Sequence, residues 1–216
     1  MREPDAPPHD PRPHDDPPHD APTTPARGRW PVDGVRDDLV ALRVWQPDDV
    51  SQLLALQSDP EMRRWSPVFD APDAADCARR VARAQAAAAD GLPNAFAVVD
   101  VGDPALVLGA IDWRNDHPLP QFSVLDVGYG VVPAARGRGV GSRALRLLSD
   151  WLLAPDGGDV HRVQLDHAVE NEGSCRVALR AEFAIEGRRE AFLPLRAHAD
   201  APVVRHAVCL HGRWRP

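Results

Sequence analysis

The sequence predicts an α/β (α+β) fold in which a mixed central sheet carries helices on both faces. Seven short segments have the alternating apolar pattern of strands, and four longer segments have the apolar spacing of helices. Their order along the chain is strand, two helices, three strands, helix, strand, helix and two strands. Because this order combines a hairpin with helical crossovers, it favours a mixed sheet with helices packed on it.

The first half of the chain is divided by turn residues that set the ends of its elements. Asp59-Pro60 ends the first helix, Gly91 caps the second, and the turn Gly102-Asp103-Pro104 joins two strands into a hairpin. The predicted elements are a strand at 39–44, a helix from about 48 to Ser58, a helix at 73–90, and strands at 95–99 and 106–113.

The second half contains a strand with two internal glycines, Gly128 and Gly130. Glycine weakens a strand, so these positions predict either a bulge or the close approach of a ligand. The predicted elements here are a strand at 123–132, a helix at 140–153, a strand at 161–168, a helix at 171–181 capped by Asn171, and closing strands from Phe183 and at 203–210.

The N-terminal 28 residues differ in composition from the remainder of the 216-residue chain. They contain nine prolines and almost no large apolar side chain, so they cannot bury enough surface to offset the entropy of ordering. We expect a disordered arm at 1–28 and one globular domain at 29–216. The arm repeats His-Asp at 9–10, 14–15 and 19–20, but sequential ligands on an unstructured chain bind metals weakly, and we expect no metal site.

Charge, cysteine content and hydropathy restrict the class of partner. The formal net charge of −7 opposes a nucleic-acid partner, whose binding surface is basic. The chain has an odd number of cysteines, Cys77, Cys175 and Cys209, and their spacing matches neither a disulfide framework nor a zinc motif. No apolar stretch approaches the roughly 20 residues that a membrane span needs. These features predict a cytoplasmic protein without a nucleic-acid or membrane partner.

The glycine-rich turn at 136–141, Arg-Gly-Arg-Gly-Val-Gly, lies between a predicted strand and a predicted helix. Unpaired amides at the start of a helix, together with its dipole, bind anions such as a pyrophosphate. A P-loop is excluded because the chain has no lysine, and the Gly-x-Gly-x-Gly spacing departs from the dinucleotide fingerprint. By itself, the turn could also be a simple glycine-rich connection.

Two motifs together are similar to those of the GNAT N-acetyltransferase superfamily. The segment 126–145, which contains the glycine-rich turn, resembles the superfamily's coenzyme A signature after a bulged strand. The segment 171–183 resembles its Asn-x-x-Ser helix, although Glu182 stands where the pattern usually has a glycine before Phe183. The segments around 42–43 and 59–65 look like the opening of the RimL-like branch, the ribosomal-protein N-terminal acetyltransferases. The resemblance covers about residues 39–183.

The resemblance implies that acetyl-coenzyme A lies in a V between two splayed parallel strands, at 126–132 and 161–168. The backbone near Tyr129 and Val131 would pair with the pantetheine arm, and an amide there could polarise the thioester carbonyl. The implied cosubstrate-binding residues are Tyr129, Val131, Arg136, Gly137, Arg138, Gly139, Val140, Gly141, Ser142, Asn171 and Ser174.

An amine acceptor must lose a proton before it attacks, so the resemblance also implies a general base. Asp126 is the first candidate, although it could be an ordinary solvent-facing carboxylate. Asp112, Glu170 and His167 remain possible.

The departing thiolate needs a proton or a hydrogen bond. Many members of the superfamily use a tyrosine on the helix after the asparagine, but Ala178 occupies that place here. Ser174 is therefore the first candidate, and Tyr129, the chain's only tyrosine, is the second. Ser174 could instead only hydrogen-bond the start of its own helix.

The predicted function is transfer of an acetyl group to the primary amine of a protein N-terminus or a small molecule. A non-catalytic acyl-coenzyme A sensor and an antibiotic-modifying acetyltransferase are the alternatives. A homodimer is possible, and the sequence does not identify the acceptor.

Overall fold

An eight-stranded mixed sheet runs through the part of the chain that the structure, a computed structural model, describes: residues 28–117 and 119–215. The strands are β1 (Val35–Arg36), β2 (Val40–Val44), β3 (Ala95–Asp100), β4 (Val107–Arg114), β5 (Val124–Val131), β6 (Arg162–Ala168), β7 (Ala184–Leu195) and β8 (Val204–Trp214). The helices are α1 (Val50–Ser58), α2 (Pro60–Arg64), α3 (Ala74–Ala89), α4 (Val140–Leu153) and α5 (Glu172–Arg180). The predicted disordered arm lies almost wholly outside the described residues.

The predicted elements are confirmed, with shifts at several boundaries. The two-residue strand β1 was not predicted, and β8 continues to Trp214, four residues past its predicted end at 210. The predicted caps are confirmed because they act locally. Asn171 caps α5 by accepting a hydrogen bond from the amide of Ser174, and Gly91 follows α3 with φ +91°.

The sheet has the order β1-β2-β3-β4-β5-β6-β8-β7. All neighbouring strands are antiparallel except β5 and β6, which are parallel and are connected through α4. This single parallel pair is the predicted one. Its ladder contains only three registers, Val124↔Arg162, Leu125↔Val163 and Asp126↔Gln164, and beyond them the two strands separate. The predicted splay of these strands is thus confirmed.

Helices cover both faces of the sheet, as predicted. Helices α4 and α5 pack on one face, where Trp30 lies 4.2 Å from Phe96 and 4.8 Å from Trp151 between ring centroids. Helices α1 and α3 pack on the other face around Trp45 and Val81. Within the described residues, no helix is long and apolar enough to span a membrane.

The bulge considered for β5 is absent. The register between β4 and β5 is continuous from Arg114↔Asp126 to Gly109↔Val131. Gly130 instead allows α2 to lie on the strand, because a Cβ there would be 2.4 Å from Cε of Met62. The glycine therefore serves helix-to-strand packing.

The turn after α5 accommodates Glu182 in a left-handed conformation with φ +68°. The amide of Glu182 donates to the carbonyl of Leu179, and the amide of Phe183 donates to that of Ala178, which is a Schellman arrangement. The carboxylate of Glu182 also contacts Arg146 at 2.9 Å. The helix therefore ends as the family pattern implies, although a non-glycine residue occupies the strained position.

Candidate active site

The glycine-rich turn places a helix N-terminus at the mouth of the splayed strands. Gly137 and Gly139 have φ values of +77° and +82°, and Gly139 is the N-cap of α4. Because the first turn of a helix lacks intrahelical acceptors, the amides of Val140, Gly141 and Ser142 are available as anion donors. The turn therefore has the geometry of a phosphate site.

Two of the three glycines of the turn are needed for their backbone conformation. A Cβ at Gly137 or Gly139 would meet nothing within 4 Å, so these positions need glycine for their positive φ, with open space outside them. A Cβ at Gly141 would lie 3.4 Å from methyl groups of Val131 and Val177. These are ordinary contact distances, so packing of α4 against β5 and α5 does not by itself require a glycine at 141.

The two arginines of the turn are placed differently. Nε of Arg136 donates to the carbonyl of Val131 at 3.1 Å, and its guanidinium also contacts the carboxylate of Asp59. Arg138 is exposed and forms no hydrogen bond or ion pair with another residue in the described ranges. Arg136 therefore fixes the turn to β5 and α2, and Arg138 carries the charge that a ligand could use.

The alternation of the antiparallel ladder directs part of the β5 backbone into the V. The amide of Val132 donates to the carbonyl of Leu108, so alternate residues of β5 are bonded to β4. Tyr129 and Val131 consequently direct their amides and carbonyls toward β6, which has already separated from β5 at this level. The carbonyl of Val131 accepts a hydrogen bond from Arg136, whereas the amides of Tyr129 and Val131 both face the V.

Tyr129 and Ser174 meet across the V, although they are 45 residues apart in the chain. The hydroxyl of Tyr129 lies 2.7 Å from Oγ of Ser174, and either oxygen can be the donor. Asn171 positions the serine, since its Oδ1 accepts a hydrogen bond from the amide of Ser174 at 3.0 Å. Burial raises the pKa of Tyr129 to about 12, and the hydrogen bond with Ser174 offsets only part of that rise. Tyr129 is therefore a protonated phenol at neutral pH.

Asp126 lies where β5 and β6 begin to separate, on the sheet face opposite Tyr129. Its carboxylate accepts a hydrogen bond from Nε2 of Gln164 at 3.1 Å. Burial raises the pKa of Asp126, and the hydrogen bond from Gln164 opposes this only in part. A carboxylate with a raised pKa is a stronger base than an exposed one.

The other three candidate bases are placed less favourably. Burial also raises the pKa of Asp112, but its carboxylate is paired with Arg114 at 3.0 Å. A hydrogen bond from its own backbone lowers the pKa of the exposed Glu170, and His206 at 3.3 Å contributes to the effect. Both ring nitrogens of His167 have partners, the carbonyl of Ala168 and the ring of His211.

Two residues that support the site, Asp59 and Gln164, were not predicted as site residues. Asp59 was predicted to end a helix and belongs to the segment that resembles the RimL-like branch, but its contact with Arg136, 77 residues away, was not foreseen. Gln164 faces Asp126 because of the parallel register between β5 and β6. No local pattern signals either contact, since both depend on how distant segments meet.

A family model, that of the acetyltransferase (GNAT) domain, matches residues 40–184 of the chain. No curated protein matches the chain in sequence. The match includes the glycine-rich turn, the splayed strands and α5.

Solved structures with the same fold include several acetyltransferases. The ribosomal-protein-S5-alanine acetyltransferase from Vibrio fischeri is 20% identical, with a TM-score of 0.68, over 84% of this chain and 98% of the other. The microcin C7 self-immunity acetyltransferase MccE, in complex with acetyl-coenzyme A and AMP, is 15% identical, with a TM-score of 0.69, over 87% and 99%. The ribosomal L7/L12 α-N-protein acetyltransferase RimL, in complex with coenzyme A, is 18% identical, with a TM-score of 0.65, over 82% and 95%.

Proposed function

The chain belongs to the GNAT acetyltransferase family, and we propose that it transfers the acetyl group of acetyl-coenzyme A directly to the primary amine of a protein N-terminus. The observation that carries this proposal is the Tyr129–Ser174 hydroxyl pair, 2.7 Å apart, beside strands that splay next to a helix N-terminus. Together, these parts would provide a hydrogen-bond donor, a binding cleft and an anion site in one place, which supports the proposal.

The cosubstrate would be held mainly by backbone groups. The first-turn amides of α4 and the guanidinium of Arg138 suit the pyrophosphate, and the amides of Tyr129 and Val131 suit the pantetheine arm. An amide directed at the thioester carbonyl would stabilise the oxyanion that develops during attack, an effect of about 3 kcal/mol in other enzymes.

The hydroxyl pair would stabilise the departing thiolate by hydrogen bonding. A thiol has a pKa of about 8.5, whereas burial raises that of Tyr129 to about 12. Complete proton transfer from the tyrosine would therefore be unfavourable by about 5 kcal/mol. A hydrogen bond from Tyr129, supported by Ser174, needs no such transfer and is strongest when the sulfur carries its charge.

The neutral form of the amine attacks, after an ammonium has lost one proton to solvent. As its nitrogen bonds to the carbonyl carbon, Asp126 would take one further proton from that nitrogen, directly or through one water molecule, and the C–S bond breaks with the electron pair leaving on sulfur. The proton remains on Asp126 until solvent removes it. The position of Asp126 at the fork of the V, with its raised pKa, supports this role.

The weakness of a carboxylate as a base favours an α-amino acceptor over an alkyl amine. An α-amino group with a pKa of about 7.8 is roughly 15% neutral at pH 7, whereas an alkyl ammonium with a pKa of about 10.4 is roughly 0.04% neutral. This difference of more than a hundredfold in reactive amine supports a protein N-terminus and the RimL-like branch. A small-molecule amine remains the alternative acceptor.

Acetylation assays with the purified full chain test the proposal. Thiol release would be measured with peptides that have free N-termini, N-blocked peptides containing lysine, a polyamine and an aminoglycoside. We expect turnover with free N-termini, and a loss of about tenfold in kcat for Tyr129→Phe with unchanged acetyl-coenzyme A affinity. Tight cosubstrate binding by calorimetry without turnover on any amine would favour the non-catalytic sensor, and turnover only on the aminoglycoside would favour antibiotic modification.

Two further parts of the proposal concern setting and assembly. We place the reaction in the cytoplasm, because Cys77, Cys175 and Cys209 are all free thiols. The acidic net charge supports a reaction without a nucleic-acid or membrane partner. A homodimer remains a prediction, which the mass of the chain in solution would test.

A further inference from the structure

A cluster of metal-ligating side chains lies behind the Tyr129–Ser174 pair, between α5 and the sheet. It comprises His167 on β6, Cys175 on α5 and His211 on β8, whose ligand atoms all lie within 4.8 Å of one another. His167 is 5% exposed and His211 is fully buried, while Cys175 is partly exposed and gives access from solvent. The reaction described above uses none of the three.

The two imidazoles meet in an arrangement that lacks a complete set of hydrogen bonds. Their Nε2 atoms are 3.1 Å apart. Nδ1 of His167 lies 2.8 Å from the carbonyl of Ala168, which requires a proton on Nδ1 and leaves a lone pair on Nε2. His211 must then donate through Nε2, which leaves only a lone pair on its buried Nδ1, although the backbone of Phe183 beside this ring favours a proton and no described residue donates to Nδ1. If His211 instead carried its proton on Nδ1, the lone pairs on the Nε2 atoms of the two rings would face and repel each other.

A cation between the two Nε2 atoms resolves this conflict. Ligand nitrogens about 3.1 Å apart can both lie near 2.0–2.1 Å from one metal, the usual Zn–N distance. The Ala168 carbonyl holds His167 in the tautomer that a metal needs, as an outer-shell partner does. Cys175 adds a sulfur ligand, and imidazole nitrogen and thiolate sulfur are both common ligands of zinc.

We propose that the chain binds one Zn²⁺ ion through Nε2 of His167, Nε2 of His211 and Sγ of Cys175, with water at the fourth position. The thiol of Cys175 loses its proton to solvent when the Zn–S bond forms, so one proton is released for each ion bound. Cys209 lies beside Cys175 on the same side, opposite His167 in the register, and is not a ligand. The ion links the start of α5 to β6 and β8. It thereby holds the turn of α5 that carries Ser174 against the sheet.

The metal-free full chain, prepared with a chelator, tests the site when it is titrated with Co²⁺ and with Zn²⁺. We expect one equivalent of Co²⁺, with a thiolate-to-cobalt charge-transfer band and the d–d bands of a four-coordinate ion. Zn²⁺ should displace the cobalt and raise Tm by roughly 5 °C at a hundredfold excess over Kd. Cys175→Ser should abolish the charge-transfer band and weaken Zn²⁺ binding at least about tenfold, without changing Tm of the metal-free protein.

Two matched variants separate this site from other sulfur and histidine ligands. Cys209→Ser should retain both the stoichiometry and the charge-transfer band, because its hydroxyl can replace the thiol beside Cys175. The variant His9→Gln, His14→Gln, His19→Gln should also bind one equivalent. The proposal fails if Co²⁺ gives no charge-transfer band, if Cys209→Ser removes it, or if binding depends on the three arm histidines and not on Cys175. The titration measures metal binding and Tm but not acetyl transfer. A negative result would therefore count against the zinc site alone and leave the proposed function untouched.

Discussion

The two sides of the V are built by different means. On the side of α4 and α5, the proposed cosubstrate contacts come from backbone amides of one continuous segment, from Tyr129 to Ser142. On the side of α1, α2 and α3, two candidate bases come from separate strands, Asp112 from β4 and Asp126 from β5. A backbone site tolerates changes in side chains and needs its glycines, whereas a side-chain site depends on each carboxylate. Substitutions on the two sides should therefore alter different kinetic constants.

The largest effect is expected on the face of the sheet that carries Asp112 and Asp126. Asp126→Asn removes the proposed base and should lower kcat about a hundredfold, with little change in KM for acetyl-coenzyme A. In the parent enzyme the rate should fall as the pH drops through the raised pKa of Asp126, and the variant should lose this limb. A pH–rate profile with a peptide acceptor measures both effects.

Asp112→Asn is the matched control, because this carboxylate lies on the same face one strand away and burial raises its pKa too. If Asp112→Asn loses more activity than Asp126→Asn, Asp112 is the base.

The raised pKa of Asp126 also predicts an effect on stability. It means that the folded protein disfavours the charged carboxylate, so the contribution of this group to the free energy of unfolding falls as the pH rises through the pKa. Tm of Asp126→Asn at neutral pH should accordingly equal or exceed that of the parent.

A smaller effect is expected from a change in backbone conformation on the other side. Gly139→Ala places a Cβ on a residue with φ +82°, which costs about 1–2 kcal/mol and should distort the first turn of α4. KM for acetyl-coenzyme A should rise about tenfold, and KM for the amine should not change. Steady-state kinetics with each substrate varied in turn test this.

Gly102→Ala is a suitable control for that prediction, since Gly102 lies in the surface turn between β3 and β4 without a positive φ. A rise in the KM of both substrates for Gly139→Ala would contradict the separation of the two sides.

The smallest effect is expected for the two arginines of the turn, whose substitutions should differ in their effect on Tm. Arg138→Gln removes an exposed charge and should raise KM for acetyl-coenzyme A about threefold, by a factor that shrinks with added salt. Arg136→Gln loses contacts to Val131 and Asp59 and should lower Tm as well. Thermal unfolding and kinetics at two salt concentrations distinguish them. Equal Tm values would show that Arg136 does not brace the turn.

Much of the fold followed from local sequence signals. Asn171 caps α5, Gly91 follows the end of α3, and the apolar spacing after Gly139 gives α4 its observed bounds. The short β1 was missed because two residues are too few to show a period. A bulge, one of the two alternatives predicted at Gly128 and Gly130, is wrong because the register between β4 and β5 is continuous. Gly130 instead makes room for Met62, a contact that sequence spacing does not reveal.

By itself, the sequence determined most of the element order and the family resemblance, and it predicted the phosphate turn, because each depends on neighbouring residues. Only the tertiary structure decided that Tyr129 reaches Ser174, that Arg136 is held by Asp59 and that His167 meets His211. These contacts span 45, 77 and 44 residues of chain. Their physical basis is the register of the sheet, which brings distant residues to one level and one face. The predicted phosphate turn is thus a local property of the chain, and the chemistry proposed beside it is a property of the fold.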